Sequence, residues 1–388
     1  MSRIFICTHS QLPIGDANSN YIMHMGKALF NAGWDVYILG KEKQGQSSHI
    51  TVDGITVINI ALQKGRVPQK VLGHILFGRE VVRTLKKYKV CAEDYILLYG
   101  GYLSLFSSIA HELHEVPQNH ISTCVVEWPT EEQFTYGKLD FNYLLWHRVF
   151  YHWMGHWKRT IVISENLRRH FTQIGCQTFL LPPLIEYTGR EKKEKEVASK
   201  IKFIYSGADE KKDAIANMLR SIALLSEEER KICELHITGL KKEKAVTLLD
   251  SQSEILTLYK ENLVIHGWME YDQLIDLYID SDYLLLARPR NQFTISNFPS
   301  KVPEMMNYGI IPVCSEVGDY TSSYLSNGED CITFLGCSPE DCAKAIRTAI
   351  GIGQAERIKM RSNVLKTAKE KFDYRNYSVA LLDFIKKG

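Results

Sequence analysis

Tyr283-Leu-Leu-Leu-Ala287, Arg288-Pro-Arg-Asn-Gln-Phe-Thr-Ile-Ser-Asn297, Phe298-Pro-Ser-Lys-Val-Pro-Glu304-Met-Met-Asn-Tyr-Gly309 and Ile310-Ile-Pro-Val-Cys314 follow one another without a break, and the reading of the fold turns on them. The first run is short, apolar and bounded by breakers, which predicts a buried parallel strand. A polar loop follows. A short helix is expected from Ser300, because Ser is a good N-cap and Pro303 is tolerated only in a helix's first turn, where its missing N–H has no partner anyway. Gly309 is placed to end that helix, and Ile310–Cys314 reads as the next strand.

Strand, loop, helix, strand is the repeating unit of an open parallel sheet, whose ligands sit beyond the carboxyl ends of the strands. The start of a helix offers free N–H groups and a positive dipole end, which suits a phosphate. Glu304, about one turn further in, is unsuited to phosphate but can accept hydrogen bonds from paired sugar hydroxyls. A nucleoside diphosphate meets both requirements, with phosphate at the helix start and ribose at the carboxylate. Phe298-Pro-Ser-Lys-Val-Pro-Glu304, with Gly309, Pro312 and Gly318 after it, resembles the donor-site signature of family-four retaining glycosyltransferases of GT-B architecture. The family's pattern is Glu, seven residues, Glu, then Gly and a Pro-Val strand. Glu304 is the second carboxylate here, and Ser296 stands where the first would be.

At 388 residues the chain has room for two domains. Its 45% hydrophobic and 24% charged content is ordinary for a soluble protein, and a net charge of +2 argues against a dedicated nucleic-acid binder. No apolar run approaches the length of about 18 residues that spans a membrane. Met1-Ser-Arg-Ile-Phe-Ile-Cys-Thr leads directly into a strand-like run without the longer apolar region of a signal peptide. Nine scattered cysteines with no Cys-x-x-Cys pair fit reduced thiols, and a cytoplasmic location is expected.

The amino-terminal half reads as alternating strands and helices, which predicts a parallel sheet. Strands are expected at 3–8, 34–39, 95–99, 121–127 and 160–163, and helices at 70–88, 102–115 and 140–157. The loop after the first strand, His9 to Asn20, lacks a Gly-x-Gly-x-x-Gly fingerprint, which disfavours a dehydrogenase. Gly15 and Asp16 in that loop are candidate cleft residues, the alternative being a solvated turn. Glu127 and Trp128, beyond a strand's carboxyl end, suit a sugar acceptor, the alternative being an N-cap and a core ring. The aromatic stretch from Tyr143 to Arg159 is read as core packing in preference to an interfacial membrane helix. His152 with His156, and His111 with His114, lack the third ligand of a metal site, and no metal is expected.

Glu191-Lys-Lys-Glu-Lys-Glu196 is a solvated, mixed-charge connector, and a second alternating series starts at Ile201. The expected domains are 1–185, a linker at 186–200, 201–370, and a terminal helix at 371–388. The resemblance implies two Rossmann-like doubly wound domains facing a cleft, the first for acceptor and the second for donor, with the terminal helix crossing back to the first.

It also implies a glycine after the strand at 201–205 and a lysine at the start of the next helix, which here are Gly207 and Lys211 or Lys212; Ala208 stands where the family has Arg. Gly267, Trp268 and Met269 resemble the turn whose backbone reads the nucleotide base. Asn297, Phe298, Pro299, Ser300 and Lys301 would line the diphosphate, with Arg288 within reach of phosphate or sugar. Glu304, Lys212 and Glu127 are the candidate catalytic residues. The implied activity is retaining transfer from a nucleotide-diphosphate sugar, serving as co-substrate with no cofactor, to a hydroxyl of a glycan or lipid-linked acceptor, with peripheral membrane contact as a further expectation. A degenerate binder of sugar nucleotides and a GT-B epimerase are the alternatives.

Overall fold

A computed structural model describes residues 2–13, 16–42, 47–61, 69–100, 102–190 and 200–387, with backbone alone at 69–75. The chain divides into two compact units, Met1–Glu186 with Asp373–Gly388, and Tyr187–Phe372.

The first unit is built on eight strands, β1 (Arg3–Gln11), β2 (Asp35–Lys41), β3 (His49–Val52), β4 (Ile55–Ile60), β5 (Tyr95–Tyr99), β6 (Ile121–Val125), β7 (Arg159–Val162) and β8 (Gln177–Leu180). Their order in the sheet is β3-β4-β2-β1-β5-β6-β7-β8, parallel except for the β3–β4 hairpin. Ile4, Phe5, Ile6, Cys7, Leu97 and Leu98 are fully buried, as central strands covered on both faces must be.

Two features of this unit lie outside the sequence expectations. The hairpin turns at Asp53 (φ 50°) and Gly54 (φ 81°), a two-residue turn with positive φ at both positions. Asp-Gly between alternating apolar residues is the sequence signal that announces it. The edge strand β8 is the other addition. The expected helix at 140–157 runs as an α-helix over Phe141–Arg148 and a π-turn over Val149–Trp153. Phe150, Met154 and Trp157 are buried there, while Phe141, Leu144 and Tyr151 are exposed, so core packing accounts for only part of the aromatic stretch.

The terminal helix Ser378–Lys386 returns to this unit, as expected. It packs on helix Ala17–Asn31, where Asn31 Nδ2 donates to Ser378 Oγ at 3.1 Å. Arg159, itself buried, donates from Nη1 to the Ile385 carbonyl at 2.9 Å and from Nη2 to that of Lys387 at 2.5 Å. A guanidinium at a helix's carboxyl end satisfies carbonyls that the helix leaves open.

The second unit has six strands, β9 (Ile201–Ser206), β10 (Cys233–Thr238), β11 (Leu263–Gly267), β12 (Tyr283–Leu286), β13 (Ile311–Ser315) and β14 (Ile332–Phe334), all parallel and ordered β11-β10-β9-β12-β13-β14. Successive strands step outward from β9 to β11, and the chain then re-enters on the far side of β9 as β12. The strand order therefore reverses between β9 and β12, and in the first unit it reverses between β1 and β5. Ligand crevices of open α/β sheets form beyond the carboxyl ends at such points.

Candidate active site

Beyond the ends of β9 and β12 the second unit gathers a buried ionic cluster. β9 ends at Ser206, and Gly207 follows at φ +144°, a conformation that side chains rarely adopt. A Cβ there would lie 3.1 Å from both Lys301 Nζ and the Tyr205 hydroxyl, so a side chain would have to push them back by a few tenths of an ångström. The turn that follows is tied to its neighbours by Gly207 N–H to the Thr238 carbonyl at 3.0 Å and Ala214 N–H to the Ala287 carbonyl at 2.8 Å.

Asp213 is the hub, with a side chain only 1% exposed. Its Oδ1 accepts from Arg288 Nε at 2.8 Å, and its Oδ2 accepts from Lys301 Nζ at 2.5 Å and from the Tyr205 hydroxyl at 2.7 Å. Burial alone would raise this carboxyl's pKa. The two cations and the phenol override that and hold it well below the usual carboxylate range. Tyr205 is driven the other way, well above the usual phenol range, by burial and then by the Asp213 charge.

Arg288 is 2% exposed and donates from Nη2 to Asn297 Oδ1 at 3.1 Å, while its buried Nη1 has no hydrogen-bond partner among the described residues. The structure thus places Arg288 inside the cluster, where it braces the loop. Asn297 is the brace's other end. Phe298 packs among Tyr320, Tyr324 and Phe372 and anchors the loop to the core. Ser296, at the place of the pattern's first carboxylate, is fully buried and donates to the Gln292 carbonyl at 2.7 Å.

The helix is Lys301–Met306. Ser300 does precede it, but with helical dihedrals (φ −58°, ψ −25°) and no cap hydrogen bond, so the expected N-cap is absent. The turn at Pro299 already hydrogen-bonds to Val302 N–H, which leaves Ser300 inside the helical path. Six residues make fewer than two turns, so side-chain cations must supply more of any anion's neutralisation than the helix end does. Gly309 closes the helix at φ +74°, with Ile310 N–H donating to the Met305 carbonyl at 3.3 Å.

Lys301 and Glu304 are three residues apart and share one helix face. Glu304 keeps part of its surface open to solvent, yet the protein packed round its carboxyl pushes its pKa up to about 7, with Lys301 pulling the other way. Tyr278, buried on helix Tyr271–Asp280, is close enough to feel the Glu304 charge.

Lys212 and Lys211 lie elsewhere than expected. The helix begins only at Ile215, and both lysines sit in the turn before it. Lys212 Nζ is 3.8 Å from Asp209 and 5.1 Å from the centre of the Phe293 ring, and Lys211 is exposed. Lys301 is a cation that reaches the Gly207 turn, its Nζ 3.1 Å from where a Cβ on that glycine would lie.

Gly267, at φ +70°, is two strands away from Gly207, roughly 10 Å at the usual strand spacing, and is linked to the intervening turn by Gly239 N–H at 2.6 Å. Trp268 beside it is 81% exposed, and Met269 is half-buried. His266 meets His236 at 2.8 Å, and the His236 ring meets Glu234 at 3.0 Å.

In the first unit, Gly15 lies outside the described residues. Asp16 is exposed and caps helix Ala17–Asn31, accepting from Ser19 N–H at 2.9 Å, so the turn is a cap. Glu127 is half-buried two residues past the end of β6. Its charge and that of Asp16 both act on the buried Tyr99 phenol, behind desolvation as the main cause of that group's raised pKa. Trp128, half-buried, meets the rings of His170 (4.5 Å), Phe150 (4.8 Å) and Tyr151 (6.4 Å).

Residues 189–371 match the family model described as glycosyl transferases group 1, a span that runs almost the length of the second unit. The chain carries a group 1 glycosyltransferase domain. Sucrose-phosphate synthase from Thermosynechococcus elongatus superposes with a TM-score of 0.75 at 14% identity, over 100% of this chain and 99% of that one. WaaG, a glycosyltransferase involved in lipopolysaccharide biosynthesis, gives 0.66 at 14% identity over 99% and 100%. Anabaena HepE in complex with UDP and glucose gives 0.68 at 14% over 98% of each chain. Likeness at that identity is likeness of fold, and the fold is GT-B. No curated protein matches the sequence.

Asp213 and Tyr205 are the cluster residues that sequence reasoning passed over. Asp213 closes the run Asp209-Glu-Lys-Lys-Asp213, which reads as a charged helix start, and nothing in the run's composition signals burial of its last member.

Proposed function

We propose that the chain is a retaining glycosyltransferase that moves a sugar from a nucleotide-diphosphate sugar to a hydroxyl of a glycan or lipid-linked acceptor in cell-surface polysaccharide biosynthesis. The observation that carries this reading is the pairing of Lys301 at the Gly207 turn with Glu304 one turn along the same helix face, beyond the strands where the sheet order reverses. Lys301 would meet the diphosphate, together with the amides near Ser300 and Lys212. Glu304 would accept from the ribose hydroxyls, and the backbone at Gly267–Met269 would meet the base. The complexes of similar fold that hold UDP with glucose, or UDP-2-fluoro glucose, support a donor of this class.

In the proposed transfer the anomeric C–O bond to the diphosphate breaks as the acceptor oxygen bonds to the same face of that carbon. The acceptor's proton passes to the departing phosphate oxygen. Lys301 and its neighbours stabilise the charge that develops on the leaving group, so no metal ion is required. Asp16 and Glu127 are the acceptor-side candidates. The absence of a carboxylate at Ser296 and of a cation at Ala208 favours the second reading, a binder of sugar nucleotides without turnover.

A panel of UDP, GDP, ADP and CMP with their sugar conjugates tests the reading by thermal shift. A ligand at 100-fold over its dissociation constant stabilises the fold by about 2.7 kcal/mol. One diphosphate series should do so, and Glu304→Ala should abolish it; donor-dependent labelling of an acceptor then separates a transferase from a binder. If no nucleotide shifts the parent's melting point, the donor-site reading is wrong.

Among the described residues no helix is long and apolar enough to cross a membrane. Exposed Tyr136, Leu139, Phe141 and Leu144, near Lys138 in sequence, support contact with a membrane surface at the first unit of an enzyme proposed to be cytoplasmic. Flotation with anionic vesicles would show this contact, and Leu139→Asp with Phe141→Asp should remove it.

A further inference from the structure

Asp213 has no place among the donor contacts just proposed, yet it holds two of the cluster's cations. A lysine side chain has four rotatable bonds and would otherwise sample many positions. Here the Lys301 ammonium is set by Asp213 Oδ2 at 2.5 Å, by the Tyr205 hydroxyl at 3.2 Å and by the Tyr205 ring, whose centre is 4.4 Å away. The phenol donates its own proton to Asp213 and so can accept from Lys301. An ammonium has three N–H donors. Two are thereby committed, and the third is left for a ligand at the Gly207 turn. Of the two cations only Lys301, 18% exposed, reaches solvent, while Arg288 is sealed in at 2%. A single carboxylate divided between two cations leaves the cluster one positive charge in excess.

We propose that Asp213 is a positioning residue for the donor's diphosphate: bound on one oxygen by buried Arg288, it uses the other to fix the Lys301 ammonium over the Gly207 turn, without cancelling the charge a phosphate would meet. This rests on the donor-site reading above. A carboxylate with one basic partner would neutralise it. The second cation, inside the fold, is what allows Asp213 to aim Lys301 and leave its charge available.

The test compares UDP with uridine (or the matching pair for whichever base the panel selects) in the parent, Asp213→Asn, Lys301→Ala and the double variant. Calorimetry gives the diphosphate affinity and ligand-observed NMR the nucleoside affinity. Asp213→Asn should lower UDP affinity at least tenfold and leave uridine affinity within about twofold, and in the Lys301→Ala background it should lower UDP affinity no further, because the two act as a unit. Equal losses for UDP and uridine, or losses that multiply in the double variant, would show a structural role only and overturn the proposal. Should Asp213→Asn fail to fold with Arg288 unpaired, Arg288→Met with and without Asp213→Asn carries the same comparison. A parent that binds neither ligand refutes the donor-site reading itself, whereas a parent that prefers UDP, with a variant that keeps that preference, refutes only the role of Asp213.

Discussion

Glu304→Gln should make the empty protein more stable and the nucleotide-bound protein less so. Burial raises the Glu304 pKa from the ordinary 4.5 to about 7, so between those values the folded state keeps a proton that the unfolded state has lost. Stability therefore falls as pH rises from 4.5 to 7 and is level above it, at about 1.4 kcal/mol per pH unit, or about 3 kcal/mol in all. Gln has no charge to desolvate. The variant should match the parent near pH 5 and exceed it by up to about 3 kcal/mol at pH 8, a rise in melting temperature of roughly 6 to 12 °C for a unit of this size. In the proposed donor site an ionised carboxylate would accept from both ribose hydroxyls, whereas an amide offers one acceptor atom. Differential scanning fluorimetry from pH 5 to 9, with and without UDP-glucose, reads both effects, since a sugar nucleotide carries no phosphate group that titrates in this range. Parent affinity should rise with pH through 7, and the variant should show neither the rise nor the parent's ligand shift. A variant that melts at or below the parent at pH 8, or one that keeps the parent's ligand shift, would refute the reasoning.

Asp213→Ala leaves Arg288 buried with a lost partner and should cost about 3–5 kcal/mol by calorimetry; because the Asp213 carboxyl titrates far below its unfolded value, that difference is complete above about pH 4 and shrinks as acid protonates it. Gly207→Ala puts a Cβ 3.1 Å from Lys301 Nζ at a φ of +144°, so it should lower stability by about 1–3 kcal/mol and UDP affinity at least tenfold, the second effect measured below the variant's melting range. Sugar transfer, once an acceptor is found, should survive dialysis against EDTA within about twofold, and activity that vanishes and returns with Mg²⁺ or Mn²⁺ would show that a metal shares the leaving group's charge.

The second unit was the more legible of the two because its decisive residues are punctuation. Tyr283–Leu286 is a buried strand because nothing in it is polar, and Gly309 stops a helix because its φ of +74° suits no other residue as well. Those constraints are local, and a single sequence carries them. The Asp53-Gly54 hairpin is equally local and was there to be read. Asp213 is different. Its neighbours in sequence are Lys212 and Ala214, and its two cationic partners are 75 and 88 residues away, brought to it by the reversal of strand order between β9 and β12. A carboxylate in a charged turn looks solvated until the topology closes over it.

The same distinction separates donor from acceptor. A diphosphate is recognised by its charge, and a sequence shows charge, so the lysines, Glu304 and the glycine turns could be named before the fold. What the sequence did not show is that a second lysine reaches the same turn. Lys212 follows the family's spacing, but helix Ile215–Ser221 starts three residues after it, and an ammonium at the glycine turn comes from Lys301, 94 residues beyond the glycine. A cation can be delivered to one point in space from either of two elements, since only the position of its charge matters to a phosphate. Acceptor hydroxyls carry no charge to match, and the proposed acceptor-side candidates, Glu127 and Asp16, lie on separate loops whose charges both act on Tyr99. Residues 16 and 127 could be named from their places beyond strand ends, but nothing in their spacing says that both act on one phenol, which only the fold brings out.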